Sequence, residues 1–175
     1  MSKYSIQPTG VERHFSADEF IVSKTNLKGH ITYVNKLFMD IADYTEEDCL
    51  GKPHSVIRHP DMPRAIFHML WEAIQAKKEI FAYVVNMAKN GDHYWVLAHV
   101  TPSYDADMQH IGYHSNRRVP APKALDFIRP LYQELKSLED SFANRKEGME
   151  ASLNLLEETL ESKGVKYDEF IFSIG

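Results

Sequence analysis

The chain has 175 residues, 43% of them hydrophobic, which suits one domain with an appendage or two small domains and suffices for a proper core. Its formal charge of −5 offers no general attraction to nucleic acid or to an anionic membrane, and its single cysteine, Cys49, excludes a disulfide framework and a multi-cysteine zinc site. No apolar run approaches the roughly 18 residues of a membrane span, and Met1–Pro8 lacks the apolar centre of a signal peptide, so the expected setting is cytoplasmic, without membrane insertion.

Residues 1–19 are polar, carry Pro8 and Gly10, and read as an N-terminal cap or arm. Phe20–Thr25 and Ile31–Val34 are β-rich and are separated by the turn residues Asn26–His30, which predicts a hairpin. Asn35 follows as an N-cap, with Phe38, Ile41 and Ala42 on one helical face. Thr45-Glu46-Glu47-Asp48 places acids in the first turn of a second helix, and Gly51 is its natural stop.

The stretch Val56-Ile57-Arg58-His59-Pro60-Asp61-Met62-Pro63 is a stiff, polar connection. Its two prolines bias His59 and Met62 towards extended backbone, and Pro63 suits the first turn of a helix. Asp61 stands just ahead of that helix, where a carboxylate can cap N–H groups. The helix itself runs from Arg64 to Ala76, with Ile66, Leu70 and Ile74 on one stripe and Phe67 and Trp71 beside it.

Ile80–Met87 and His93–Val100 read as strands joined by the hairpin turn Lys89-Asn90-Gly91-Asp92. A turn at Tyr104–Asp107 leads to a last strand, Gln109–Arg117, in which Ile111 and Tyr113 oppose His110, Gly112 and His114. Val119-Pro120-Ala121-Pro122 is a stiff linker. Beyond it Leu125, Ile128, Leu131, Leu135, Leu138 and Phe142 keep helical spacing, and Met149, Leu153, Leu156 and Leu160 resume it, which predicts two helices or one bent one. The tail Tyr167–Ile174 is apolar and alternating, and either docks on the domain or meets a partner.

Little in this pattern is catalytic. The eight glycines form neither a dinucleotide fingerprint nor a phosphate loop, and no nucleophile elbow occurs. His110 and His114 would lie roughly 13 Å apart on a strand at about 3.3 Å per residue, too far to share an ion unaided. The expected fold is α+β: a five-stranded antiparallel sheet whose helices, inserted between the second and third strands, leave a cavity against one face. Phe67, Trp71, Tyr83, Tyr94 and Trp95 are candidates for its apolar lining, and Asn35, Arg58, His59, Asp61 and Asn86 for its polar groups.

Asn35-x-x-Phe38, Tyr44-Thr45, Gly51-x-Pro53-His54, Arg58-His59-Pro60-Asp61-Met62-Pro63, Trp71, Lys89-Asn90-Gly91-Asp92-His93-Tyr94-Trp95 and Gly112-Tyr113 occur in this order. The pattern, across residues 20–118, resembles the PAS domain of aerotaxis receptors. That resemblance implies a PAS fold and a non-covalently bound FAD whose redox state is relayed to chemotaxis signalling. By position it carries over Arg58, His59 and Asp61 as flavin-binding, and Asn35, Trp71 and Asn86 as residues around the pocket. It also implies a redox sensor rather than an enzyme, acting through a membrane-bound chemoreceptor-like partner. Residues 119–175, chiefly 123–163, would then serve homodimerisation or partner binding. The alternatives are a PAS domain holding haem on a histidine, a PAS interaction module without cofactor, and a small flavoenzyme.

Overall fold

A computed structural model describes residues 6–175, so the first five residues of the predicted arm lie outside it. Strands β1 (Ile21–Asn26), β2 (Ile31–Val34), β3 (Ile80–Met87), β4 (His93–Tyr104) and β5 (His110–Arg118) form one antiparallel sheet in the order β2-β1-β5-β4-β3. Helices α1 (Lys36–Ala42), α2 (Glu46–Cys49) and α3 (Arg64–Gln75) and a 3-10 turn (His54–Ile57) all fall between β2 and β3.

Local signals set these elements as the sequence implies. Asn35 caps α1: its side-chain oxygen accepts from Phe38 N and Val22 N, while its amide donates to Phe20 O, so one side chain ties the helix to β1. Thr45 and Asp48 form a reciprocal capping box on α2. The arm is ordered where it meets the β3–β4 hairpin: Thr9 N and Arg13 N donate to Gly91 O and His93 O. Arg13 also reaches Asp92, Asp43 and the Ile41 carbonyl.

Helix α3 departs from expectation at its start. Asp61 does not cap it, because the Asp61 side chain is 81% exposed. The cap comes instead from Glu139, far along the chain, whose two carboxylate oxygens each accept a first-turn N–H, from Arg64 and Ala65, at 2.9 Å.

The C-terminal segment folds as α4 (Pro122–Asp140), α5 (Arg145–Ser162) and α6 (Tyr167–Ile174). The tail is helical, and of the two placements open to it, it docks on the domain. Phe170, Ile171 and Ile174 recur at helical spacing and are buried, and the Glu169 carboxylate accepts from Lys166 N at its start. β3 ends the sheet, where unpaired backbone invites another strand. Here Tyr132 (α4) donates to Tyr83 O at 2.6 Å and Tyr167 (α6) to Phe81 O at 2.9 Å. On the same side Tyr132 meets Trp95, and Phe172 meets Phe81. No helix among the described residues is long and apolar enough to cross a membrane.

Candidate functional site

Between the sheet and the mid-chain helices lies a cavity of about 260 Å³. Strand alternation decides what faces it: Ser23 and Thr25 from β1, Val84 and Asn86 from β3, Ala98 and Val100 from β4, and Tyr113, Ser115 and Arg117 from β5. Helix α3 supplies Phe67, Leu70, Trp71 and Ile74, and the segment before it supplies His54, Ile57 and Arg58. The mouth is narrowed by Trp71, whose indole lies on the backbone of Gly29. A Cβ at that glycine, which has φ +79°, would come within 2.8 Å of the ring.

The floor carries a charge without a counter-charge. Arg117 is 2% exposed, donates to His54 Nε2 at 3.0 Å and to Ser23 Oγ at 2.7 Å, and leaves its buried Nε without a partner. Ser23 Oγ and His54 Nε2 are themselves 2.9 Å apart. No ion pair among the described residues includes Arg117, and none of the cavity's lining residues is Asp or Glu. Burial pulls the Arg117 guanidinium down to about 10, so it stays charged at neutral pH. Burial, and then the positive Arg117 and Arg58, push His54 down to about 3, so its ring is neutral and accepts from Arg117. Asn86 is 4% exposed and lines the cavity, and no side-chain hydrogen bond ties it to another described residue. Arg58 pairs with Asn86 through a backbone bridge and lays its guanidinium 3.9 Å from the centre of the Phe67 ring.

Of the residues singled out in the sequence, the structure gathers Arg58, Phe67, Trp71 and Asn86 in this wall. It places the others elsewhere. Asn35 caps α1 and bonds Val22 and Phe20, and is not among the lining residues. The buried His59 accepts from Asp61 N through Nδ1 and packs its ring against His93, 5.8 Å away, and Asp61 points to solvent. Tyr94 is in the core on the cavity side of the sheet but not in the wall. Tyr83 and Trp95 lie on the opposite face, against the C-terminal helices, with Tyr83 O accepting from Tyr132 and Trp95 beside the same tyrosine. Sequence reasoning missed Ser23 and Arg117 and quoted His54 without a role. The alternation that puts Tyr113 inward also puts Ser115 and Arg117 there, and a cation on an inward strand position was the available signal.

Residues 31–116 match the family described as the PAS fold. The chain carries a PAS domain. Over 120 residues, 69% of its length, it is 35% identical to the aerotaxis receptor of Escherichia coli K12, and it spans 24% of that protein. Phototropin-2 of Oryza sativa subsp. japonica is 29% identical over 75 residues, which are 43% of this chain and 8% of the phototropin. Among solved structures, a light-oxygen-voltage domain studied with a flavin analogue superposes with a TM-score of 0.55 at 16% identity, covering 66% of this chain and 87% of that one. A variant of Vivid gives 0.52 at 17% identity, covering 55% and 79%. At these identities the superpositions speak for the fold alone.

In this PAS domain the one cysteine, Cys49, is buried in α2 and is not part of the cavity wall. His54 is the sole histidine among the lining residues, and its Nε2 already engages Arg117 and Ser23. A pH response follows from that ring. The unfolded chain protonates His54 near its ordinary value of 6.5 and the folded one only near 3, so the unfolded state binds more protons in between. Stability should therefore fall as pH drops from about 6.5 towards 3, by up to about 1.4 kcal/mol per unit. Replacing His54 by glutamine should flatten that slope in urea titrations at stepped pH. Asp48 and Asp92, held near 2 by hydrogen bonds, add their own loss as pH falls from about 4 towards 2.

Proposed function

We propose that this PAS domain binds FAD in the cavity and serves as a redox sensor in energy taxis. The observation that carries the reading is the buried Arg117 cation, its Nε without a partner, set without a carboxylate in an apolar-walled pocket that Asn86 also lines. Such a floor is built for a ligand that brings electron-rich atoms on a flat apolar body. The volume takes a ring system and leaves the rest of a dinucleotide at the mouth, where Arg58 and Lys28 are the cations at hand. The similarity to part of the aerotaxis receptor supports the reading, since the resemblance to aerotaxis receptors implies a bound FAD.

When bound, FAD supplies reversible electron acceptance. The chain's own residues then do the recognition. Arg117 and Asn86 hydrogen-bond the polar edge of the ring, Phe67, Trp71, Ile57 and Val84 enclose its faces, and His54 and Ser23 hold the Arg117 fork in place. The similarity to part of a receptor protein supports a sensing role for the domain. His59 and Asp61 act on this pocket through the loop that leads into α3, and not by touching the ligand. The domain is cytoplasmic and passes its signal to a membrane-bound chemoreceptor-like protein, with the C-terminal helices as the contacting element or as a dimer interface.

The deciding experiment is the absorbance of the purified protein with and without added FAD. Flavin bands that bleach with dithionite and return in air are the expected result. A Soret band, or a colourless protein that leaves added FAD fully fluorescent, would overturn it. FMN and riboflavin in parallel separate ring recognition from recognition of the adenylate.

A further inference from the structure

The cap on α3 comes from the wrong part of the chain for a purely local role. Pro63 stands at the N-cap with no side-chain hydrogen bond, so α3 has no cap of its own. Arg64 N and Ala65 N donate instead to Glu139, a side chain with 0% exposure, and the Arg64 guanidinium lies 3.6 Å from the same carboxylate. Glu139 sits one residue from the end of α4, and α5 is closed down on it. A Cβ at Gly148 would fall 2.6 Å from Glu139 O, so only glycine allows that crossing. The flank of α3 is the cavity wall, since Phe67, Leu70, Trp71 and Ile74 all line it. A 12-residue helix is one stiff rod of about 18 Å. Its first turn is thus held by the C-terminal helices while its flank is held by whatever fills the cavity.

We infer that Glu139 is a positioning residue that couples occupancy of the cavity to the seating of α4 and α5. The inference rests on reading the cavity as a ligand site and names how that site reaches the rest of the chain. A ligand that fixes α3 against the sheet presents the two N–H groups to Glu139 in register, and the seated carboxylate in turn fixes α3 for the ligand. Such coupling is reciprocal by thermodynamic necessity. Displacing α4 strips two donors from a buried carboxylate and leaves a positive helix end uncapped, so seated and unseated states are distinct.

Hydrogen exchange followed residue by residue tests this, on wild type, E139Q and G148A. Glutamine keeps the size but offers one acceptor oxygen and no charge. The G148A change pushes α5 off α4 without touching the carboxylate. FAD is expected to slow exchange of amides in residues 132–160 of the wild type by about fivefold or more, and to change them less than about twofold in either variant, with the sheet still protected in all three. If FAD quenching shows binding but residues 132–160 do not respond, or respond equally in E139Q, the coupling is wrong. If FAD does not bind at all, the flavin reading falls, and the coupling is read from the ligand-free protein. There E139Q must speed exchange at Phe67–Ile74 together with residues 132–160, and an unchanged Phe67–Ile74 would overturn it.

Discussion

Replacing Arg117 by methionine should leave the ligand-free protein as stable as the wild type or more so, while weakening flavin binding by about a hundredfold or more. The two effects have opposite sign because one charge causes both. In the empty pocket Arg117 is a buried cation whose acceptors are a neutral histidine and a hydroxyl, with the Phe38 ring 5.4 Å away. Taking an ion out of water costs several kcal/mol, and neutral acceptors offset that only in part. Methionine removes the cost and fills similar space. Ser23 and His54, 2.9 Å apart, can still satisfy each other, so no new orphan is created. In the filled pocket the same guanidinium meets ligand acceptors in a dry site, where losing one partner of a charged hydrogen bond costs about 2–5 kcal/mol. The comparison needs melting curves of ligand-free protein, since any retained flavin stabilises by mass action, and an affinity from quenching of flavin fluorescence. The R117K variant keeps the charge and loses the fork, and should fall between. Affinity within threefold of wild type in R117M would show that the cation is not what recognises the ligand. A large drop in ligand-free stability would make Arg117 structural.

Most of the element order could be read from the sequence because it is written in local signals. The β1–β2 hairpin, the Asn35 and Thr45 caps, the α3 stripe and the turn at Asn90-Gly91 depend on residues a few positions apart. Only the polypeptide between Arg58 and Asn86 contributed site residues that sequence reasoning placed in the wall, where the resemblance and the helix period agreed. What could not be read is long-range. The Arg117–Ser23 contact spans 94 residues and Arg117–His54 spans 63, so no window or motif shows them. The cap on α3 spans 75 residues, and Asp61 was the natural candidate because N-caps are usually local. The tail left open only what it meets: its apolar residues could face the domain or a partner, and the fold is what shows Phe170, Ile171 and Ile174 buried.

Asn35, His59 and Asp61 show how a motif can be read for the ligand and still work through the scaffold. Asn35 joins α1 to β1 and to the Phe20 carbonyl just before it, and Ser23 lies one residue beyond the Val22 it binds. His59 and Asp61 shape the turn that delivers Arg58 to the wall and Pro63 to α3. Substituting them would lower ligand retention by moving the wall, so loss of flavin in such variants says nothing by itself about contact.

A chain ending at Pro120 should fail to fold cooperatively or should elute in assemblies larger than the full chain. Ile128, Tyr132, Leu135, Phe170, Ile171 and Ile174 are each less than a tenth exposed. At about 1.5–3 kcal/mol for each fully buried apolar side chain, their sum is on the order of 10 kcal/mol. Ordering three helices takes part of that back, yet the gross figure matches the ~5–15 kcal/mol that holds a whole domain. Their removal would bare Phe81, Trp95 and Leu97 and free the Tyr83 and Phe81 carbonyls on the terminal strand, which then offers an edge for a second copy. It would also uncap α3. Size-exclusion chromatography and a urea titration of the fragment beside the full chain give the answer. A fragment that keeps the full chain's size class and cooperativity would show that the C-terminal helices are an attachment. A milder change, the double variant Y132F Y167F, removes only the two edge hydrogen bonds, and should cost about 1–3 kcal/mol while leaving the helices in place. If the double variant instead behaves like the truncation, edge protection and not apolar burial is what keeps β3 from pairing with a second copy.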